Sequence, residues 1–589
     1  MCFKNARKGA KTLRSRSSLF INIFQVLNHF MTNSNNKSFS RRSWLGFAST
    51  ALIGSGILGS STNAFGREKK EGDKSSGSRS YNIKDFGAIG DGKTLDTAAI
   101  QAAIDACHKD QGGIVLVPAG VFIIGTIELK SNVTLHIVSQ GTLMGSGDGK
   151  QYRAAAAIPT TGEWTMGDGN VGLIFAANAD NVTIEGNGTI DGNGAQFRSA
   201  VRGALPPSGI GGNRRPHHVL FYQCKNLTVR DITLINCAYH SVRVCVSTFV
   251  KLEGIRIHSR VNSNNDGFHL ISSQYVHISN CDVQCQDDAC ALFGSNKYIT
   301  VINCSFSTRW SVFRFGGGFS ENITVSNCLI YETYGCPIKM RCDHRSRFEN
   351  ISFSNIVMKD VTGPISIGLG PQRPVPGEKP PRPGIVRNIS FNGIHAVVSK
   401  PVPISDTEHH SNYNPGEIFS CIILNGMDEG FLENISFNDV HVTFPGGGKA
   451  EHAAVREVPK IASEYYVIGI PPAYGIFARN VRGLTMQNVR FEMASPDQRP
   501  ALIFDHVNDA GINGLSIDGH PDAESALRLI DSQDVLMTAT RLISPAAVFL
   551  QLEGADSKNV KIDGGDLSKA SKALVFAAGA RNDAVRLCQ

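Results

Sequence analysis

No stretch of this sequence is apolar for long enough to cross a membrane, no C-x-x-C pair occurs, and residues 1–64 contain no Asp or Glu. A spanning helix needs about 20 apolar residues in succession, so none is expected. Without paired cysteines a finger-type zinc site is not expected either. The periods of collagen and of coiled coils are missing, and 41% hydrophobic residues exclude a disordered chain. The 589 residues carry a formal charge of +7, but residues 1–64 hold nine Lys and Arg, which leaves 7 − 9 = −2 for the rest. A mildly acidic body gives no support to nucleic-acid binding.

What the first segment does contain is an export signature. Ser40, Arg41, Arg42 and Ser43 precede a weakly apolar run from Leu45 to Leu58, and Thr62, Asn63 and Ala64 offer small residues for a signal peptidase. This resembles a bacterial twin-arginine signal, which places the mature chain in the periplasm or outside the cell, with no stable membrane association after cleavage. Met31 would give such a leader a conventional start. Residues 65–80 read as a polar linker, and 81–589 as a single folded domain.

One short pattern recurs along that domain. It begins at Asn226, Phe249, Tyr275, Tyr298, Asn322, Asn350, Asn388 and Asn434, each time as an alternation of apolar and polar residues. The first steps are 23, 26, 23, 24 and 28 residues, and later ones lengthen to 38 and 46. Alternation predicts a short strand with one buried face. A strand that short is not stable alone, so a near-regular period implies stacked coils. Asn280, Asn303, Asn327 and Asn355 recur five residues into the unit, followed by Cys281, Cys304 and Cys328. Asn tolerates a left-handed bend and can bond along a ladder, while Cys packs as a small buried hydrophobe. The predicted fold is all-β: a single-stranded, right-handed parallel β-helix.

A helix starting near Asp96 or Thr97, with Ala99, Ile100, Ala103, Ile104 and Cys107 on one face, is expected to cap the N-terminal end of this solenoid. Three late interruptions, Gly363–Gly384, Ser399–Ser420 and Pro445–Gly475, read as insertions leaving one face. Pro445 to Lys449 lacks the residues of a phosphate loop and reads as a turn.

Three aspartates stand out. Asp266 lies in Asn264–Gly267, 17 residues after its strand start, and Asp287 and Asp288 lie in Gln286–Cys290, 12 and 13 after theirs. The coil of Asp266 is about three residues longer, so the three are expected nearly side by side. Clustered carboxyls raise one another's pKa values, which lets one stay protonated while another ionises. Glycoside hydrolysis needs that combination: an acid for the leaving oxygen and a base for the water.

These motifs carry a family resemblance. Residues 81–137 look like the entry coil of pectin-active β-helix enzymes, and 215–340 resembles glycoside hydrolase family 28, the polygalacturonases. The family's Asn-Thr-Asp-Gly is matched at Asn264 to Gly267 with Asn265 for Thr, and its Gly-Asp-Asp at Gln286 to Asp288 with Gln for Gly. The resemblance implies Asp287 as general acid, with Asp266 and Asp288 holding and deprotonating the water. The family's Gly-His-Gly falls near Trp310, Ser311 and Val312, where the histidine is absent. Its Arg-Ile-Lys falls on Pro337, Ile338 and Lys339, where only the lysine is kept. Lys339 is then the expected holder of a uronate carboxylate, with Arg314, Arg309 or Arg341 standing in for the arginine. Asn264, His240 and Arg243 are expected to line the groove; His217, His218 and His269 are read as structural.

The chain is thus expected to be a monomeric polysaccharide hydrolase, inverting, without metal or cofactor. Two other readings stay open: a Ca²⁺-assisted β-eliminating lyase on the same scaffold, and a β-helix that binds glycans without cleaving them.

Overall fold

Asparagine is what turns the corners of this molecule. The computed structural model describes residues 79–159, 170–197, 215–370, 383–403, 408–409, 413–462 and 465–588. These all fall in the unit Gly77–Gln589; the expected signal peptide and most of the linker lie outside the described residues. Asn280, Asn303, Asn327 and Asn355 have φ of 56°, 56°, 53° and 53°, the left-handed bend that their side chains tolerate. A second corner runs through Asn226, Asn322, Asn350, Asn388 and Asn434 at φ 51–59°. Its amides bond from coil to coil: Asn350 donates to Asn322 at 3.1 Å, Asn388 to Asn350 at 2.9 Å and Asn434 to Asn388 at 3.0 Å.

Because the chain bends without breaking its ladder, strands such as Phe319–Thr333 and Arg347–Val361 cover two faces of the solenoid. Among the described residues the result is one sheet of 26 strands and one of 15, and every named strand pair is parallel. The fold is a right-handed parallel β-helix. Rungs continue to the last strand, Val585–Cys588, although the recognisable sequence pattern stops at Asn434. In the later coils Gly483, Asp509, Asp534 and Asn559 take the corner at φ 73°, 61°, 54° and 55°, so a motif built around Asn misses three of the four.

The inward positions are apolar throughout, from Val115 to Ile562. Cys281, Cys304 and Cys328 are among them, and the 13 described cysteines are all free thiols, 12 of them buried. Core packing, not cross-linking, is therefore their use. The helix forms at Thr97–Lys109 as expected, burying Ile100, Ala103, Ile104 and Cys107, while Asp96 accepts from the backbone of Ile89 and Gly90 at 2.7 and 3.0 Å.

The described parts of the late insertions are tied down by buried charge. Glu408 bonds Arg309 at 2.9 Å and approaches Arg260 at 3.5 Å, both arginines being buried. Further along, Asp497 and Arg499 form a buried pair at 2.8 Å. Arg499 also donates to the carbonyls of Phe419, Pro471 and Ala473, which clamps 413–421 and 465–475 onto the rungs. Among the described residues no helix is long and apolar enough to cross a membrane.

Candidate active site

The 15-stranded sheet aligns its side chains in rows parallel to the solenoid axis. Its register places Arg243, His269, Ala291, Arg314, Lys339 and Ser366 in one row across six consecutive strands. A second row lies just before the strands begin. Backbone bonds from His218 to His240, from Ser241 to Asp266 and from Gly267 to Asp288 put His240, Asp266 and Asp288 at equivalent positions on successive coils. Adjacent coils lie about 4.8 Å apart, so the two carboxyls are neighbours by construction. Asp287 precedes Asp288 in a turn whose amide bonds to Asn265 at 3.1 Å.

The longer coil expected around Asp266 therefore does bring the three acids together. Asp287 accepts from the side chain of Asn264 at 3.1 Å and from the amide of Asp288 at 2.9 Å. Burial pushes its carboxyl up to about 7, helped by the charge of Asp266 and opposed by Lys339. Burial and Asp287 raise Asp288 to about 6, against the pull of Lys339 and Arg314. Burial, then Asp288, hold Asp266 well above the ordinary carboxylate range, with Arg243 and Arg215 opposing. Close to neutral pH this cluster holds protons and negative charge side by side, which is what acid–base chemistry on one substrate requires.

Lys339 and Arg314 reach the cluster from the parallel row. Lys339 is 3% exposed, with its Nζ 4.3 Å from the centre of the Trp310 ring. Arg309 and Arg341, the other candidates for the missing arginine, are committed elsewhere: Arg309 to Glu408, and Arg341 to Asp343 at 3.5 Å.

His240 and Arg243, expected to line the groove, are 2% and 0% exposed, as buried as Lys339 and Asp266 at 3% and 4%. Arg243 meets Nε2 of His217 at 3.0 Å, and His240 lies beneath the stacked ring of Tyr239. Both lie against Asp266: His240 Nε2 is 3.7 Å from its Oδ2, and the charge of Arg243 opposes the rise of its pKa.

Three residues at the site escaped the sequence reading. Arg215 donates to Oδ1 of Asn264 at 3.1 Å and lies over the Tyr239 ring at 4.4 Å. Trp310, noted only as the place of a lost histidine, covers Lys339. His269, read as structural, has its Nδ1 2.6 Å from Oδ2 of Asp266. Its spacing of three residues from Asp266, with Gly267 and Phe268 between, was the available signal: Asp266 lies two residues before the strand Phe268–Ile271, and His269 is its second residue.

His240, Asp266 and His269 are close enough to be considered as metal ligands. Charge argues against it. The two imidazoles are stacked at 4.3 Å, 11° apart, and each turns a nitrogen to Oδ2 of Asp266, at 2.6 Å from His269 and 3.7 Å from His240. Arg243 and Arg215, which both act on Asp266, add positive charge where a cation would sit.

Fold and site together define a parallel β-helix with an acid cluster on its 15-stranded sheet. The chain belongs to the glycosyl hydrolases family 28, whose sequence profile matches residues 107–412. A probable polygalacturonase of Vitis vinifera is 32% identical over 222 residues, 36% of this chain and 44% of that protein. An exo-poly-alpha-D-galacturonosidase of Dickeya chrysanthemi is 30% identical over 248 residues, 35% of this chain and 41% of that one. The chain thus spans less than half the length of these two curated relatives. Among solved structures, a hyperthermoactive exopolygalacturonase from Thermotoga maritima matches with TM-score 0.52 and 21% identity, covering 70% of this chain and 92% of its own. A family 28 exopolygalacturonase of Yersinia enterocolitica matches with TM-score 0.55 and 20% identity, covering 74% and 79%. At that identity these structures speak for the fold.

Proposed function

We propose that the chain is an exported glycoside hydrolase that cleaves a pectin-type, uronic-acid-containing polysaccharide with inversion. The observation that carries this reading is the trio of carboxyls on adjacent coils, raised by burial and by one another, with Lys339 and Arg314 in the parallel row. Asp287, raised to about 7, is protonated at mildly acidic pH and gives its proton to the glycosidic oxygen as the bond to the anomeric carbon breaks. A water attacks the opposite face and surrenders its proton to Asp266 or Asp288. Oδ1 of Asp288 is buried and makes no hydrogen bond among the described residues, which suits an oxygen that receives this proton. Lys339 and Arg314 hold the substrate carboxylate.

Calcium-assisted elimination fits less well. It would need several of these carboxyls ionised together, whereas burial holds them toward the protonated form. A panel of pectic polysaccharides, incubated with and without chelator, tests the reading. Saturated oligosaccharides at equal rates in both arms are expected. Unsaturated products lost with chelator would establish the lyase, and binding without products the non-catalytic reading.

A further inference from the structure

A continuous pile of flat groups runs behind the acids. The Arg215 guanidinium lies 4.4 Å from the centre of the Tyr239 ring, and Tyr239 stacks on His240 at 4.1 Å. His240 stacks on His269 at 4.3 Å, His269 on Phe293 at 5.2 Å, and Arg314 lies 5.5 Å from the Phe293 ring. The three ring-to-ring steps have interplanar angles of 20°, 11° and 12°. A ring held on both faces cannot tilt, and His269, 1% exposed, is held by His240 on one side and Phe293 on the other. In that pose its Nδ1 meets Oδ2 of Asp266 at 2.6 Å, while His240 Nε2 stands 3.7 Å from the same oxygen.

We propose that His269 is the positioning residue of the acid cluster: its Nδ1–H binds Oδ2 of Asp266 and fixes which oxygen of that carboxylate faces the attacking water. This rests on the reading of Asp266 as one of the two water-activating groups. The family resemblance expects an imidazole at Trp310–Val312, where there is none; here an imidazole reaches the acids from the coil of Asp266 itself. A donor aimed at a carboxylate favours its ionised form. The other groups facing Asp266 are Asp288 and Asp287 from the next coil, and His240, Arg243 and Arg215 from the preceding ones. Those facing His240 are His269, His217, Arg243 and Arg215. Burial and these neighbours hold His240 well below the usual histidine range, so it stacks as a neutral ring.

The test compares His269→Phe, which keeps the stack but removes the donor, with His269→Asn, whose amide can reach Asp266 as Nδ1 does. On the best pectic substrate, His269→Phe is expected to lower kcat by about 10–100-fold with KM nearly unchanged. Its acidic limb should move to higher pH, because Asp266 loses a bond that favours ionisation. His269→Asn should recover part of the rate and return the limb toward its original place. Equal losses in both variants with an unmoved limb would leave His269 a packing residue and overturn the proposal, while the functional reading stood. Should the unmodified protein release nothing from any acidic polysaccharide, that reading fails by itself. The tautomer of His269, read by NMR of histidine-labelled protein, then decides the geometry: an Nδ1–H that changes in Asp266→Asn supports the assignment, and an Nε2–H tautomer refutes it.

Discussion

Replacing Asp287 by Asn should make the protein more stable and inactive at once. Removing a hydrogen-bonded, half-buried acid usually destabilises, but here the carboxyl is raised from 3.8 to about 7. A carboxyl with a raised folded pKa lends its full stability only below its unfolded value, and loses it as pH climbs through about 7. Each unit is worth about 1.36 kcal/mol, so the ceiling is about 4 kcal/mol at pH 8. The proton is shared with Asp288 and Asp266, and the bond from Asn264 is weakened by the change, so a gain of about 1–2 kcal/mol is expected. With an unfolding entropy of about 2.1 cal/mol/K per residue over roughly 500 residues, that is about 1–2 °C in Tm. At pH 4 the acid is already neutral and the two proteins should melt together. Melting curves of both proteins at pH 4, 6 and 8 measure the difference, and hydrolysis at pH 6 should fall by about 100- to 10,000-fold. A variant less stable at pH 8 than at pH 4, relative to its parent, would refute the claim that this carboxyl is held near neutrality by its surroundings.

Other outcomes follow from the same geometry. The rate of the unmodified protein should peak between about pH 6 and pH 7, falling on the acid side as Asp288, beside Asp266, takes up a proton and on the alkaline side as Asp287 loses its own. Replacing Lys339 by Met removes the charge that holds both Asp287 and Asp288 down, so both limbs should move to higher pH, and KM for a uronide should rise about tenfold or more. Asp497→Asn leaves Arg499 buried without its partner, a loss of about 3–5 kcal/mol. That loss should appear as faster hydrogen exchange in residues 445–475. At the corner, Asn327→Val should cost about 1–2 kcal/mol more than Asn327→Gly, because its φ is 53° and both variants lose the 2.7 Å bond from Asn355; thermal melts of the two measure it.

The fold was legible because each coil repeats a local demand. A left-handed corner calls for Asn every 20-odd residues, and alternation marks the strands between. Beyond Asn434 the demand is unchanged, but Gly483 and Asp509 meet it as well as Asn does, and the motif fades from view. The acids were legible for a similar reason, since a difference in coil length is arithmetic on the sequence. The ring column was not. Arg215, Tyr239, His240, His269, Phe293 and Arg314 are spread over five coils and meet only through register, so no local spacing announces them. The burial of His240 was hidden likewise: it depends on which ring lies on top, here Tyr239.

The central claim is that three mutually raised carboxyls drive a single displacement by water. Proton NMR of the first products from an α-linked galacturonan tests it most directly. New reducing ends should appear first in the β configuration and only later equilibrate. Ends born in the α configuration, or vinylic signals of an unsaturated uronide, would contradict it.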